Sequence, residues 1–283
     1  MTAPTTWKTG LIEVADGAFA YVQATGGLCI SNAGLIVGEE DAVAVDALFT
    51  PSMTRDFQAQ VRRVTAKPVR YLINTHHHID HTLGNALFPE ASVVSQVRAR
   101  QEMQRVGIPT ERLRPLVPHF MAEIEGAALR LPDATFHQQM DLHLGNREVQ
   151  LLHFGTGHTL GDVLVYLPTE RLLFAGDVAF HYVTPVAFEG HISKWIRVAD
   201  RVAAMAVDTI VPGHGPVGSR GDLRLMRDYL ALVRRQARRA FAAGRSEEEA
   251  ARSLRLGAYA TWAEPERALL NVQRLYQEFR REI

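Results

Sequence analysis

Apolar and β-branched residues come in short runs through the first third of the chain, each closed by glycine or acidic residues. Residues 18–24 (AFAYVQA), 33–39 (AGLIVGE) and 42–48 (AVAVDAL) have this form and predict strands. The period then lengthens. Phe57, Val61 and Val64 recur at helical spacing with Arg and Gln between them. Residues 68–75 (PVRYLINT) return to a buried strand. Residues 93–126 read as helical, broken at 107–109 (GIP) and punctuated by Pro115 and Pro118. Strand patterns reappear at 148–154, 162–168, 171–177 and 208–213. A helix between the last two puts Trp195, Val198, Val202 and Met205 on one face, which makes Trp195 a core residue. After Gly221 the pattern is helical to the end. Leu223, Met226, Leu230, Val233, Ala237 and Phe241 form one stripe, and Ser246 with Glu249 makes a capping box for a further helix. This is a mixed α/β chain whose sheets need helices on their outer faces.

Composition narrows the function classes. The 283 residues suffice for one large domain or for a domain with an appendage. Lys plus Arg and Asp plus Glu both number 31, so the chain is neutral and gives no electrostatic reason to expect a nucleic-acid or membrane partner. Arg234, Arg235, Arg238 and Arg239 lie opposite the apolar stripe and read as a solvated face. Cys29 is the sole cysteine, which rules out an intramolecular disulfide and reads as a small buried hydrophobe. The opening residues lack a basic segment followed by an apolar core, and no run approaches a membrane span. The expectation is a cytoplasmic protein.

One stretch carries the chemistry. INTHHHIDHTLGN, Ile73 to Asn85, places four histidines and an aspartate between His76 and His81. His76 and His78 are two apart, so on an extended or turning backbone they leave on the same side and can converge on one ion. Asp80 and His81 leave in other directions and can serve a second ion. The cluster alone cannot complete two sites of about four ligands each. Three more candidates close predicted strands beside glycine: His158 in GTGHTLGD, Asp177 in LFAGDVAF and His214 in VPGHGP. Glycine beside a ligand lets the backbone approach the ion.

THHHIDH, GTGHTLGD, FAGD and PGHGP, in this order, resemble the metal-binding motifs of the metallo-β-lactamase superfamily, over roughly residues 12–220. The resemblance implies a four-layer αββα sandwich with a dinuclear site at one edge of the sheets. The domain would span residues 1–220, with a helical insertion at about 96–140, and helices in 221–283 would pack on it. His76, His78 and His158 match the ligands of the first metal, Asp80, His81 and His214 those of the second, and Asp177 the bridging carboxylate. Two zinc ions are implied, favoured over iron or manganese by the imidazole-rich donors; diiron relatives usually carry glutamate where His78 stands. The implied reaction is attack by a metal-bridging hydroxide on the carbonyl of a small-molecule thioester, lactone or other ester. Asp80 and Asp177 are then the catalytic carboxylates, Asp80 passing a proton to the leaving group. β-Lactamases of this fold often carry cysteine or serine in place of Asp177, which puts β-lactam hydrolysis second. A metal-loaded binding or sensor protein with little turnover is a further alternative.

The remaining residues are weighed individually. His77 is expected to point away from His76 and His78 and to ligate nothing. Asp46 ends a buried strand as a hydrogen-bond acceptor behind the site, or as support for it. His181, Glu189 and His191 line the pocket or lie on the surface; His119, His137, His143 and His153 are scattered. Within the insertion, Phe120 and Met121, or Leu113 and Leu116, could form a lid. The C-terminal helices pack on the sandwich or make a homodimer contact.

Overall fold

Two sheets stack face to face in the computed structural model, which describes residues 6–24 and 28–283. Residues 1–5, part of the opening stretch in which no leader was read, lie outside the described residues. The first sheet runs β1 (Gly10–Ala15), β2 (Ala18–Val22), β3 (Ala33–Val37), β4 (Ala42–Val45), β5 (Val69–Ile73), β6 (Ser92–Gln96) and β7 (Ala134–Phe136). It is antiparallel as far as β4 and parallel beyond it. The second sheet comprises β8 (Gln139–His143), β9 (Glu148–Leu152), β10 (Leu164–Leu167), β11 (Leu172–Phe180) and β12 (Thr209–His214). Its order is β12-β11-β10-β9-β8, with only β11 and β12 parallel.

Side-chain alternation builds the layers. Ile36, Val43, Val45, Ile73 and Val94 meet Val149, Leu151, Val165 and Phe174 of the other sheet. Their neighbours Leu35, Ala44, Leu72 and Val93 turn outward onto α1 (Pro51–Val64), which buries Phe57 and Val61. A strand buried on both faces shows as a continuous apolar run, and this is why β3 to β5 were readable. The short α2 (Ile79–Thr82) follows β5; α3 (Val97–Val106), α4 (Thr110–Leu113) and α5 (Met121–Glu125) follow β6. On the far side, Leu173 and Ala175 face α6 (Ile192–Ala203), α7 (Arg220–Ala242) and α9 (Ala268–Arg280), with α8 (Glu247–Arg252) between the last two. The result is helix, sheet, sheet, helix, with the C-terminal helices packed on the sandwich. Trp195 is fully buried there, and the capping box of Ser246 and Glu249 opens α8 as expected.

Several elements differ from the pattern reading. The stretch 93–126 does not begin as a helix: Ser92–Gln96 forms β6, a parallel strand whose Val93 and Val94 are buried on opposite faces. The helical part of the insertion ends at Glu125, and residues 134–143 become β7 and β8. β11 does not stop at Asp177. Register irregularities on either side of Gly176 let it run on to Phe180. Among the described residues, no helix is long and apolar enough to cross a membrane.

Candidate metal centre

The sequence-predicted residues converge at one end of the two sheets. His76 to His81 follow β5, His158 lies in the loop between β9 and β10, Asp177 sits in β11 and His214 ends β12. Ligating atoms of His76, His78, His158 and Asp177 lie within 4.8 Å of one another, as do those of Asp80, His81 and His214. Asp177 joins the groups through its two oxygens. Its Oδ2 is 3.2 Å from His158 Nε2 and 3.9 Å from His76 Nε2. Its Oδ1 is 3.2 Å from His81 Nε2 and 3.5 Å from His214 Nε2. Asp80 Oδ2 lies 3.3 Å from His214 Nε2 and 3.6 Å from His81 Nε2. His78 Nδ1 and His158 Nε2 face each other at 3.0 Å. A tetrahedral ion with bonds near 2.0–2.1 Å needs donors roughly 3.3–3.4 Å apart, and the separations above, 3.0 to 3.9 Å, bracket that value. His76 Nε2, His81 Nε2 and Asp177 Oδ1 are buried without a hydrogen-bond partner. Buried polar atoms this close and otherwise unsatisfied fit a cation between them.

The backs of three of the imidazoles, His76, His81 and His214, are held. Asp46, in a left-handed conformation with φ 59°, ends the β4 run and accepts from Thr75 N–H (2.7 Å), Thr75 Oγ1–H (2.7 Å) and His81 Nδ1–H (2.8 Å). Thr75 Oγ1 in turn accepts from His76 Nδ1–H at 3.1 Å. One carboxylate therefore turns an imidazole of each cage so that Nε2 faces inward. His214 Nδ1–H donates to Ile30 O at 2.9 Å. Asp162 locks the His158 loop by accepting from Thr159 N–H and its hydroxyl. Gly213 is obligatory, because a Cβ there would collide with Asp177 Oδ1.

The two cages differ in charge when no metal is bound. Burial pushes His76 and His78 well below the ordinary imidazole range, helped by neighbouring histidines, and takes His158 down to about 4. These rings are neutral at pH 7 and present lone pairs. For His81 and His214, burial acts the same way but carboxylates overcome it. Asp177, Asp80 and Asp46 raise His81, and Asp177 and Asp80 raise His214 to about 9. Asp177 and Asp80 are lowered in spite of burial, chiefly by His214 and His81. The carboxylates of the second cage therefore favour positive charge between them.

A cleft with about 930 Å³ of empty space, its open mouth included, lies in front of His78, Asp80, Asp177 and His214. Its lining is mainly apolar and comes largely from the insertion: Met103, Val106, Leu113, Leu116 and Leu129, faced by Val186 and Phe188. Of the five exposed large hydrophobic residues among the described ones, Val106, Leu116 and Leu129 stand on this cleft, so exposed apolar surface is concentrated there. Leu113 and Leu116 thus face the cleft, whereas Phe120 and Met121 pack behind it with Phe49 and Ile124.

Glu189 lines the cleft and pairs with His77, Oε2 to Nε2 at 3.0 Å. His77 stands in neither cage, but it does not point away from His78 as expected: ligating atoms of His77, His78 and Glu189 lie within 4.8 Å of one another. His181 is buried behind β12, donating from Nδ1 to Pro216 O, and His191 precedes α6 beside Glu278. Cys29 is buried with φ 71° and borders the cleft. Pattern reading did not find Thr75, Phe188, Arg112 or Arg267. Arg267 is buried in the cleft against Glu264, and Arg112 lies over the Phe188 ring at 5.1 Å.

Residues 26–214 match the family described as the metallo-beta-lactamase superfamily. A linear primary-alkylsulfatase of Pseudomonas sp. (strain ATCC 19151) is 24% identical over 262 residues, covering 78% of this chain and 49% of that protein. A hydroxyacylglutathione hydrolase of Rhodobacter capsulatus is 27% identical over 158 residues, covering 56% of this chain and 52% of its own. The chain thus spans about half the length of both relatives. Among solved structures, a stereoselective inverting sec-alkylsulfatase from Pseudomonas sp. superposes with a TM-score of 0.72 at 19% identity, covering 96% of this chain and 50% of that one.

Proposed function

We propose that this chain, which belongs to the metallo-beta-lactamase superfamily, is a metal-dependent hydrolase of a small molecule that joins an ester-type bond to an apolar group. The bond is a thioester, lactone or other ester, in keeping with relatives named as a hydroxyacylglutathione hydrolase and an alkylsulfatase. One observation carries the reading: two cages share the two oxygens of Asp177 and open on an apolar cleft. His76, His78 and His158 would hold one zinc ion, Asp80, His81 and His214 the other, and Asp177 both. When bound, such a pair supplies Lewis-acid polarisation of a substrate oxygen and acidifies water towards neutral pH.

The protein's own residues do the rest. Val106, Leu113, Leu116 and Phe188 seat the apolar group and exclude water from the scissile bond. Asp80 turns Oδ2 to His81 and His214, which leaves Oδ1 to take the proton released during attack and hand it to the leaving group. Asp46 and Thr75 keep His76 and His81 from rotating.

Elemental analysis followed by a panel of esters, thioesters, lactones, sulfate esters and β-lactams tests this. Two zinc ions per chain with turnover of an apolar ester or thioester is the expected result. Turnover confined to β-lactams would replace the substrate class. Full metal loading with no turnover on any of these would make the protein a metal-loaded binding protein instead.

A further inference from the structure

Phe188 and Glu189 reach the cleft on residues 182–191, between β11 and α6, a stretch without regular structure. Backbone groups in such a stretch need partners from elsewhere. Three side chains of the C-terminal region supply them, and a fourth secures the start of α6 just beyond. Arg267 Nη1–H donates to Thr184 O at 3.2 Å. Asn271 Nδ2–H donates to Pro185 O at 2.8 Å, and its Oδ1 accepts from Ala187 N–H at 2.9 Å. Arg274 donates to Gly190 O from both Nε (3.1 Å) and Nη2 (2.6 Å). Glu278 accepts from Ser193 N–H (3.3 Å) and Ser193 Oγ–H (2.6 Å). Positions 267, 271, 274 and 278 are spaced four, three and four, so they form one stripe along α9.

The other side of the stretch rests on the loop that carries His158. Gly190 has φ +67°, and a Cβ there would collide with the carbonyls of Gly157 and His158. His191 N–H donates to Gly157 O at 3.0 Å. The stretch is therefore clamped between a metal-ligand loop and a helix some 80 residues further along the chain. Arg267, Asn271 and Arg274 grip it through five hydrogen bonds, all to backbone atoms, Glu278 adds three to Ser193 at the start of α6, and Phe188 and Glu189 are left to face the cleft.

We propose that α9 is a positioning element of the active site, with Arg274 as its central residue. It sets where Phe188 and Glu189 stand and thereby which apolar groups the cleft accepts. The proposal rests on the cleft being the substrate site, as argued above. Arg274 reaches the stretch through Gly190 O alone, its other hydrogen bond being to Gln277 of its own helix, so its loss should alter the cleft and spare the metal cages.

The test uses the metal-loaded full chain with Arg274→Ala, and with Arg274→Lys, which retains one donor. Three measurements are made: hydrogen exchange of residues 182–193, octanoate binding by calorimetry, and kinetics on p-nitrophenyl octanoate against p-nitrophenyl acetate. For Arg274→Ala we expect unchanged metal content and faster exchange confined to 182–193. Octanoate binding and the octanoate-ester KM should weaken about tenfold, the size of one charge-assisted hydrogen bond. The acetate ester should change by less than about twofold on the same reasoning, since it does not reach Phe188. Arg274→Lys should fall between, and it carries the same readings if the alanine variant does not fold.

Exchange in 182–193 equal to that of the unaltered protein, or equal losses on both esters, would overturn the proposal while leaving the hydrolase reading intact. An unaltered protein that binds octanoate but hydrolyses neither these esters nor any member of the panel above would strike the hydrolase reading instead. The positioning role would then stand or fall on the binding and exchange results.

Discussion

Replacing Asp46 by asparagine tests how the cages are held. The aspartate is 2% exposed and offers acceptors to three donors: Thr75 N–H on Oδ1, and Thr75 Oγ1–H and His81 Nδ1–H on Oδ2. Asparagine keeps the shape but has one acceptor oxygen. Turned one way, its NH2 meets Thr75 N–H head on. Turned the other way, it meets His81 Nδ1, whose proton must then move to Nε2, the atom facing Asp177 Oδ1 at 3.2 Å. An Nε2 that carries a proton cannot ligate. Losing such a supporting carboxylate typically costs 10–100-fold in metal affinity, about 1.4–2.7 kcal/mol. Asp46→Ala is cruder, because it strands Thr75 N–H and His81 Nδ1–H at about 1–3 kcal/mol each and should also lower the melting temperature. Competition of metal-free protein against a chromophoric zinc chelator reads the two affinities. For Asp46→Asn, one ion should weaken by one to two orders of magnitude on the above reasoning, with the fold retained. Binding of both ions at unaltered strength would refute the orienting role.

Asp177→Ala removes the carboxylate common to both cages. Metal content should fall towards one ion and hydrolysis by orders of magnitude, and a fully active two-metal variant would contradict the sharing. His77→Ala deletes a partner of Glu189 but no cage atom, so elemental analysis should still find both ions, and losing one would reassign His77 as a ligand. Without metal, His214 titrates at about 9 and His81 above its ordinary range, so both carry protons at pH 7 that a cation must displace. Metal affinity should therefore rise with pH up to about 9, with protons released; calorimetry in buffers of different ionisation enthalpy that shows no release would refute the assignment. Leu116→Ala, at a half-exposed position on the cleft, should raise KM for long-chain esters by severalfold with metal content unchanged, and equal kinetics on long and short esters would remove the insertion from substrate binding.

How much of this was readable in the sequence follows from how each feature is built. β3 and β4 are buried on both faces, and β5 is so at Leu72 and Ile73, so their apolar runs announced them. β1 is only partly buried and β8 is largely exposed along an edge of its sheet, and neither stood out. Residues 92–96 run directly into α3, and the strand was absorbed into the helix signal because no glycine or proline separates them. The break around Gly176 could not be seen either, since Asp177 looks like a strand end in LFAGDVAF although the chain continues to Phe180.

The metal cages and the cleft differ in the same way, and the reason is physical. Donors that must meet within a few ångströms are most simply supplied by adjacent residues on a rigid strand end, so His76, His78, Asp80 and His81 sit in a single stretch. The three distant donors are each marked by glycines that the close packing requires, as Gly213 is by Asp177. Orientation needs no such adjacency. Asp46 lies 35 residues before His81, and Ile30 O lies 184 before His214, yet both hold a ring by its outer nitrogen. The cleft is likewise assembled from distant segments, with the insertion on one side and a stretch gripped from the C-terminal region across 83 to 86 residues on the other. Those contacts join side chains mostly to backbone, which leaves no residue pattern at the accepting end. The donors of the metal cages are therefore written largely locally in the sequence, whereas the cleft exists only once α3 to α5 and α9 have packed on the sandwich.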